Sequence, residues 1–491
     1  MERKSGILMH ITSLPGSQGC GTIGREAFEF VDLLKNAKQR YWQILPTCPP
    51  DETGSPYHSC SARAGSHLLI DLFPLIESGY LSEKDVSALA GGNAEKVNYD
   101  FLTKEKDVLL RKAYLSSRSQ LSGALYEFYN NEISWLADYA LFMALHNEFG
   151  NIPWFEWEYD IKKRNENALN YWRDRLKDEI GFYVFAQFLF FTQWQKLKEY
   201  ANSNGVLIIG DLPIYVSDDS ADVWSNQIFF DLDEECRPNL LSGCPPDAFS
   251  DEGQLWNNPL YRWDILQQHH YSWWIDRLRA GLRLYDMLRL DHFRGFDAYW
   301  AVDKGSKIAK NGRWLPGPGM DLFRAVCWQM GLVPIIAEDL GVYTDSLKQL
   351  LNESGFPGMR VLEFAFDYNY SNPFLPHNYI ENCVAYTGTH DNNTVLGWEK
   401  EQDCNKLNFV REYLGISAEQ NLADAFIRAV WASKANLAIA PIQDFLCLDE
   451  SARMNTPSTI SSNWSWRVDK KRLNDKLTKK IRTLTVMYSR D

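Results

Sequence analysis

The sequence predicts an α/β protein, a (β/α)8 barrel with large inserted, mostly helical segments and no separate carboxy-terminal β domain. Three observations predict it. Short apolar runs rich in β-branched residues recur along the chain, each followed by a longer stretch of helical spacing. There are eight such runs, and they are continuously apolar, as strands covered on both faces of a closed parallel sheet must be. Several of them end on a carboxylate, the place where barrels of this kind carry their chemistry.

Taken in order, the predicted strands are GILMHI (6–11), YWQILP (41–46), VLIIGD (206–211), MLRLD (287–291), VPIIAED (333–339), VLEFAF (361–366), VAYTGTHD (384–391) and AIAPIQD (438–444). On this reading the whole chain, 1–491, is one catalytic barrel with two insertions. The interval after the second run is far longer than a crossover needs, so about 72–200 reads as an inserted helical subdomain. Its stretches SWLADYALFMALHNEFG and YVFAQFLFFTQWQKLKEY have helical spacing, and their aromatic rings read as packing. The Asp-, Pro- and Asn-rich segment from about 217 to 263 follows Asp211 and reads as an inserted active-site loop region. KKRLNDKLTKKIRTL reads as a last amphipathic helix with a solvated basic face.

Composition narrows the function classes. With 45% hydrophobic and 23% charged residues the chain can bury a sizeable core. A net charge of −13 with scattered basic residues argues against nucleic acid or an anionic membrane as partner. No run is long enough to span a bilayer, and the amino-terminal residues do not form an export signal. The nine cysteines include no C-x-x-C pair, which indicates reduced thiols in a cytoplasm. Eighteen Trp, 24 Tyr and 26 Phe supply rings suited to the apolar faces of sugars, although most aromatic residues simply fill cores.

Asp211, Asp291, Glu338, Asp391 and Asp444 end predicted strands and are expected to converge on one mouth. A single such carboxylate would more simply cap the next helix, but five in register weaken that reading. Retaining transfer of a sugar needs an ionised nucleophile and a protonated acid. Asp291 fits the first role, because Arg289 two residues earlier points to the same side of a strand and favours its charge. Glu338, at the end of an apolar run, fits the second through desolvation. Asp391 in TGTHDNN would steady sugar hydroxyls at the transition state, with His292 and His390 as further donors. A metal site built on the Asp-His neighbours is a minor alternative, since adjacent strand residues face opposite ways. GSQGCGTIG lacks phosphate-loop spacing.

A series of motifs then runs through nearly the whole chain in order: GILMHITSLPG, QRYWQILPT, GSPYHSCSARAG, IGDLPIYVSDDSADVW, PPDAFSDEGQLWNNPLYRWD, RLDHFRGFDAYW, IIAEDLG, GMRVLEFAFD, YTGTHDNNT and ARMNTPST with NWSWR. The set resembles the amylomaltases, the bacterial 4-α-glucanotransferases or disproportionating enzymes of the α-amylase clan. The resemblance implies a nucleophile at Asp291, an acid/base at Glu338 and a transition-state stabiliser at Asp391. It also implies a donor subsite lined by Tyr57, Asp211, Arg289, His292 and His390, an acceptor contact at Trp256, and Phe249 on a mobile loop. It implies no metal and no organic cofactor, with maltooligosaccharides and α-1,4-glucans as partners. Two departures bear on product pattern: Ala248 where PPDYFS is common, and Glu52 near a position that is aromatic in some members. A covalent glycosyl-enzyme can be resolved by a sugar hydroxyl or by water, and the same carboxylates serve both fates. Hydrolysis is therefore the runner-up, and a catalytically dead glucan-binding barrel the third reading.

Overall fold

A computed structural model describes residues 2–91, 95–246, 250–459 and 462–491. Its twelve strands are β1 Lys4–Leu8, β2 Tyr41–Gln43, β3 Leu207–Leu212, β4 Leu240–Cys244, β5 Gln254–Pro259, β6 Met287–Leu290, β7 Ala298–Asp303, β8 Arg313–Pro316, β9 Ile335–Ala337, β10 Gly358–Val361, β11 Cys383–Tyr386 and β12 Leu437–Pro441. Eight of them close a barrel in the order β1-β12-β11-β10-β9-β6-β3-β2. Neighbouring strands run parallel. The expected barrel is thus present.

Strand alternation divides the apolar residues into two cores. Leu8, Ile209, Ile336, Met359, Val384 and Ile439 fill the barrel interior, while Ile7, Ile208, Leu288 and Ala438 face the surrounding helices. The helix Arg25–Asn36 shows how the outer layer docks. It buries Ala27, Phe30, Val31 and Leu34 and leaves its charged face to water. Gly210 in β3 faces outward against the ring of Tyr285, where a Cβ would overlap that ring. Large side chains therefore lie on both sides of this short strand.

Between β2 and β3 the chain forms a series of helices, including Tyr99–Ser117, Ile133–Glu148 and Lys177–Ser203. The last of these packs on the barrel. Tyr200 donates to Asp32 at 2.7 Å, and the Trp194 indole donates to the Leu284 carbonyl at 2.9 Å. Its carboxyl half is thus the crossover helix leading into β3, lying within the interval the sequence reads as inserted.

Two local readings are corrected. The sixth barrel strand is Gly358–Val361, not 361–366, because the apolar run continues into a 3-10 turn at Leu362–Phe364. The segment from about 217 to 263 is not all loop. It contains β4 and β5, which join β7 and β8 in an antiparallel sheet of order β5-β4-β7-β8. Among the described residues β5 pairs only with β4, and β4 finds its second partner, β7, more than forty positions along the chain, beyond β6, so local composition does not reveal the sheet.

Candidate active site

The mouth of the barrel is built from residues at the carboxyl ends of β3, β6, β9 and β11. Arg289 and Asp211 are register partners on adjacent strands. Both are buried, and Arg289 Nη1 lies 2.6 Å from Asp211 Oδ2 and 2.9 Å from Asp291 Oδ1. One guanidinium therefore serves two carboxylates. Burial alone would push Asp211 up, and Arg289 opposes that shift. The same oxygen of Asp211 accepts the Tyr57 hydroxyl at 2.8 Å.

Glu338 follows β9 in a different environment. Its Oε2 accepts the backbone N–H of His292 at 2.7 Å and its Oε1 that of Leu340 at 2.8 Å. The bond to His292 places it beside the residue that follows Asp291. Burial pushes the Glu338 carboxyl up to about 8, with the charge of Asp291 adding to the shift and Arg289 and the two backbone donors opposing it. Desolvation takes the half-buried His292 ring down to about 4 and so favours its neutral form. That ring stands edge-on to Trp256 of β5, with centroids 4.8 Å apart.

Asp391 enters from the loop after β11. Its Oδ1 accepts from Asn455 Nδ2 at 2.6 Å and its Oδ2 lies 3.3 Å from His390 Nε2. The His390 ring stacks on Tyr57 at 5.2 Å and 12°, and Trp464 leans on both rings. Exposure is graded across the mouth. The side chains of Asp291 and Asp391 are 27% and 35% exposed, whereas Glu338, Arg289 and Asp211 are buried. A ligand arriving from solvent therefore meets Asp291 and Asp391 while Glu338 stays desolvated.

The structure thus brings together Asp291, Glu338, Asp211, Arg289, Tyr57, His292, His390, Asp391 and Trp256 through linked contacts. Phe249 and Ala248 lie outside the described residues. Asp444 does not join the mouth. It sits in the helical turn Ile442–Phe445 and accepts from the Thr387 hydroxyl and the Val395 N–H. Its apolar run ends at Pro441, so the carboxylate falls on the next element. Sequence reasoning assigned no role to Asn455 or Trp464, although both stand in quoted motifs. Among the described residues no group of three or more His, Cys, Asp and Glu side chains is arranged to hold a metal ion. The cation between the carboxylates is Arg289. A cavity of about 340 Å³ adjoins Tyr57 and Asp211 and runs out between Trp135 and Arg277 without including Asp291 or Glu338 in its walls.

Residues 9–473 match the family described as 4-alpha-glucanotransferase. A 4-alpha-glucanotransferase of Clostridium butyricum is 47% identical over 98% of this chain and 100% of its own length. One from Thermus thermophilus is 45% identical over 95% of each chain. Among solved structures, the amylomaltase from Streptococcus agalactiae in complex with acarbose superposes with a TM-score of 0.97 at 40% identity, covering 100% of both chains. The Corynebacterium glutamicum amylomaltase shares the fold at 19% identity and a TM-score of 0.80, over 100% of this chain and 75% of its own.

Proposed function

Because the chain belongs to the 4-alpha-glucanotransferase family and has that transferase activity, we propose that Asp291, Glu338 and Asp391 carry it by a retaining double displacement on α-1,4-glucans. One observation carries the assignment: two neighbouring carboxyl groups sit in opposite electrostatic surroundings. Asp291 is ion-paired with Arg289 and partly open to solvent, whereas Glu338 is buried and pushed up to about 8. A charged nucleophile and a protonated acid are what the two steps require.

In the first step Glu338 gives its proton to the glycosidic oxygen as Asp291 attacks the anomeric carbon, and the leaving glucan departs with a new hydroxyl. Glu338 is then ionised, and an acceptor 4-hydroxyl surrenders its proton to it while displacing Asp291. Two inversions give net retention. Asp391, held by Asn455 and beside His390, binds sugar hydroxyls most strongly as the ring flattens. Tyr57, Asp211, Arg289, His292 and His390 line the donor position, and Trp256 and Phe249 meet the acceptor. Maltooligosaccharides serve as both donor and acceptor. The nine cysteines form no disulfide with one another, which supports a cytoplasmic setting, and among the described residues no helix is long and apolar enough to cross a membrane.

The test is incubation of the chelator-treated protein with maltotriose alone. Glucose and maltopentaose appearing together at constant total reducing ends is the expected result. Rising reducing ends with maltose and glucose would make water the acceptor and the protein a hydrolase. Unchanged maltotriose would defeat both.

A further inference from the structure

Asp391 is presented by the loop between β11 and the helix Val395–Glu401. The inner side of that loop rests on two buried carboxyl groups, Glu363 and Asp444. Asp444 is engaged at both oxygens, by Thr387 at 2.6 Å and by the Val395 N–H at 2.9 Å. Glu363, in the 3-10 turn after β10, has a different neighbour. Its carboxyl lies beside the side chain of Asn392, the two meeting at Gly388, where a Cβ would lie 2.8 Å from Glu363 Oε1 and 3.2 Å from Asn392 Cβ, and its Oε1 has no hydrogen-bond partner. Asn392 Oδ1 already accepts from Thr389, from the backbone N–H at 3.0 Å and the hydroxyl at 2.8 Å. The amino group of Asn392 is therefore the part of the amide left to face Glu363. Having given its proton to Asn392, the Thr389 hydroxyl accepts the Asp391 N–H at 3.3 Å.

We propose that Glu363 is a positioning residue that orients Asp391 through Asn392 and Thr389. The inference rests on the role given to Asp391 above. The path runs one way: the Asp391 N–H donates to Thr389, Thr389 donates to Asn392, and the remaining Asn392 amino group is turned toward Glu363. A reversed Asn392 amide would face the Thr389 N–H with its own amino group, donor against donor, and release the hydroxyl that steadies Asp391. Glu363 is the fixed acceptor that prevents this. Contact is close: a Cβ on Gly388 would lie 2.8 Å from Glu363 Oε1, so the loop backbone rests directly on the carboxyl. Burial, reinforced by Asp444, holds Glu363 well above the usual carboxylate range.

The test compares E363A, E363Q, N392A, the E363A/N392A double variant and D391N for maltotriose transfer, with kcat and KM separated. Measurements are made at a temperature where circular dichroism finds each variant folded. Displacing a transition-state contact by a fraction of an ångström should lower kcat of E363A about 10- to 100-fold and leave KM near its original value. Glu363→Gln keeps a carbonyl acceptor in the same volume and should restore most of kcat. The double variant should be no slower than the slower single one, since both cut the same path. Should E363A not fold, Glu363→Met fills the space without an acceptor and carries the same comparison. Undiminished kcat in E363A, or E363Q as slow as E363A, overturns the inference. Full turnover in D391N would instead defeat the role of Asp391 itself.

Discussion

Arg289 decides how charge is shared at the mouth. It lies between Asp211 and Asp291, and its field also reaches Glu338, where it opposes the effect of burial without cancelling it. The consequence for activity is directional. In the proposed mechanism Glu338 holds a proton for the first step, so transfer should fall as pH rises through about 8. Stability should move the same way. Between its ordinary value near 4.5 and about 8 the folded Glu338 keeps a proton that the unfolded chain releases, so stability is lost as pH climbs across that window. Glu338→Gln should lower kcat by about 10²- to 10⁴-fold and flatten the change of Tm between pH 5 and 8, read by calorimetry. Asp291→Asn should stop turnover by on the order of 10³-fold or more and weaken that Tm slope only in part, because burial still raises the Glu338 carboxyl once the Asp291 charge is gone. An unchanged slope in E338Q would place the raised proton elsewhere. The residues that sequence reasoning reached are those where an apolar run meets a carboxylate or a basic side chain, as at Arg289, Asp291 and Glu338. Asn455 and Trp464 were out of reach for a physical reason: they come to Asp391 and Tyr57 from irregular chain after the last barrel strand, where no periodicity marks a direction.

At the scale of elements, the antiparallel sheet β5-β4-β7-β8 is what brings an aromatic ring to the barrel mouth. Trp256 stands on β5, its indole N–H meets Gln254 at 3.3 Å, and its ring lies against His292 and Tyr215. Trp256→Ala should remove a wall of the acceptor side and about 0.5–1.5 kcal/mol of ring contact with His292. The expected result is a higher KM for acceptor sugar and a larger share of glycosyl-enzyme resolved by water, measured as the rise in reducing ends per glucose released. A constant ratio would remove Trp256 from the acceptor side. This sheet was the least legible part of the fold. LLSGC and QLWNNP carry Gly, Asn and Pro where a strand signal needs β-branched residues; they pair with each other, and LLSGC is tied to the distant β7. The barrel strands were legible because burial on both faces leaves a continuous apolar run, as in LAIAP of β12. Boundaries drifted where such a run crosses into another element, as at Val361.

For the whole molecule, closure of the barrel is a long-range event: β1 must pair with β12 and β2 at once, bringing Lys4 beside Leu437. These are amino-terminal strand ends, opposite the mouth, where side chains serve stability instead of chemistry. Arg490 holds this closure. It is buried, and it donates to the carbonyls of Trp431 at 2.7 Å, Ser433 at 2.9 Å, and Lys4 and Ala435 at 3.0 Å. Arg3 reaches Trp431 from β1's side at 2.9 Å. Removing Arg490 strips charged donors from several carbonyls at once, and each orphaned group carries its own desolvation cost. Arg490→Met, which keeps most of the volume, should therefore lower stability by about 2–4 kcal/mol. Because the site lies at the other end of the strands, kcat per folded molecule should not change, and the effect should add to that of E338Q on stability. A chain of this size is prone to irreversible unfolding, so the fitting measurement is the half-life of transferase activity on heating, alongside kcat at low temperature. A shortened half-life with intact kcat separates the end of the barrel that closes the fold from the end that carries the carboxylates. A fall in kcat at low temperature would mean that strain at the closure reaches the mouth along the strands.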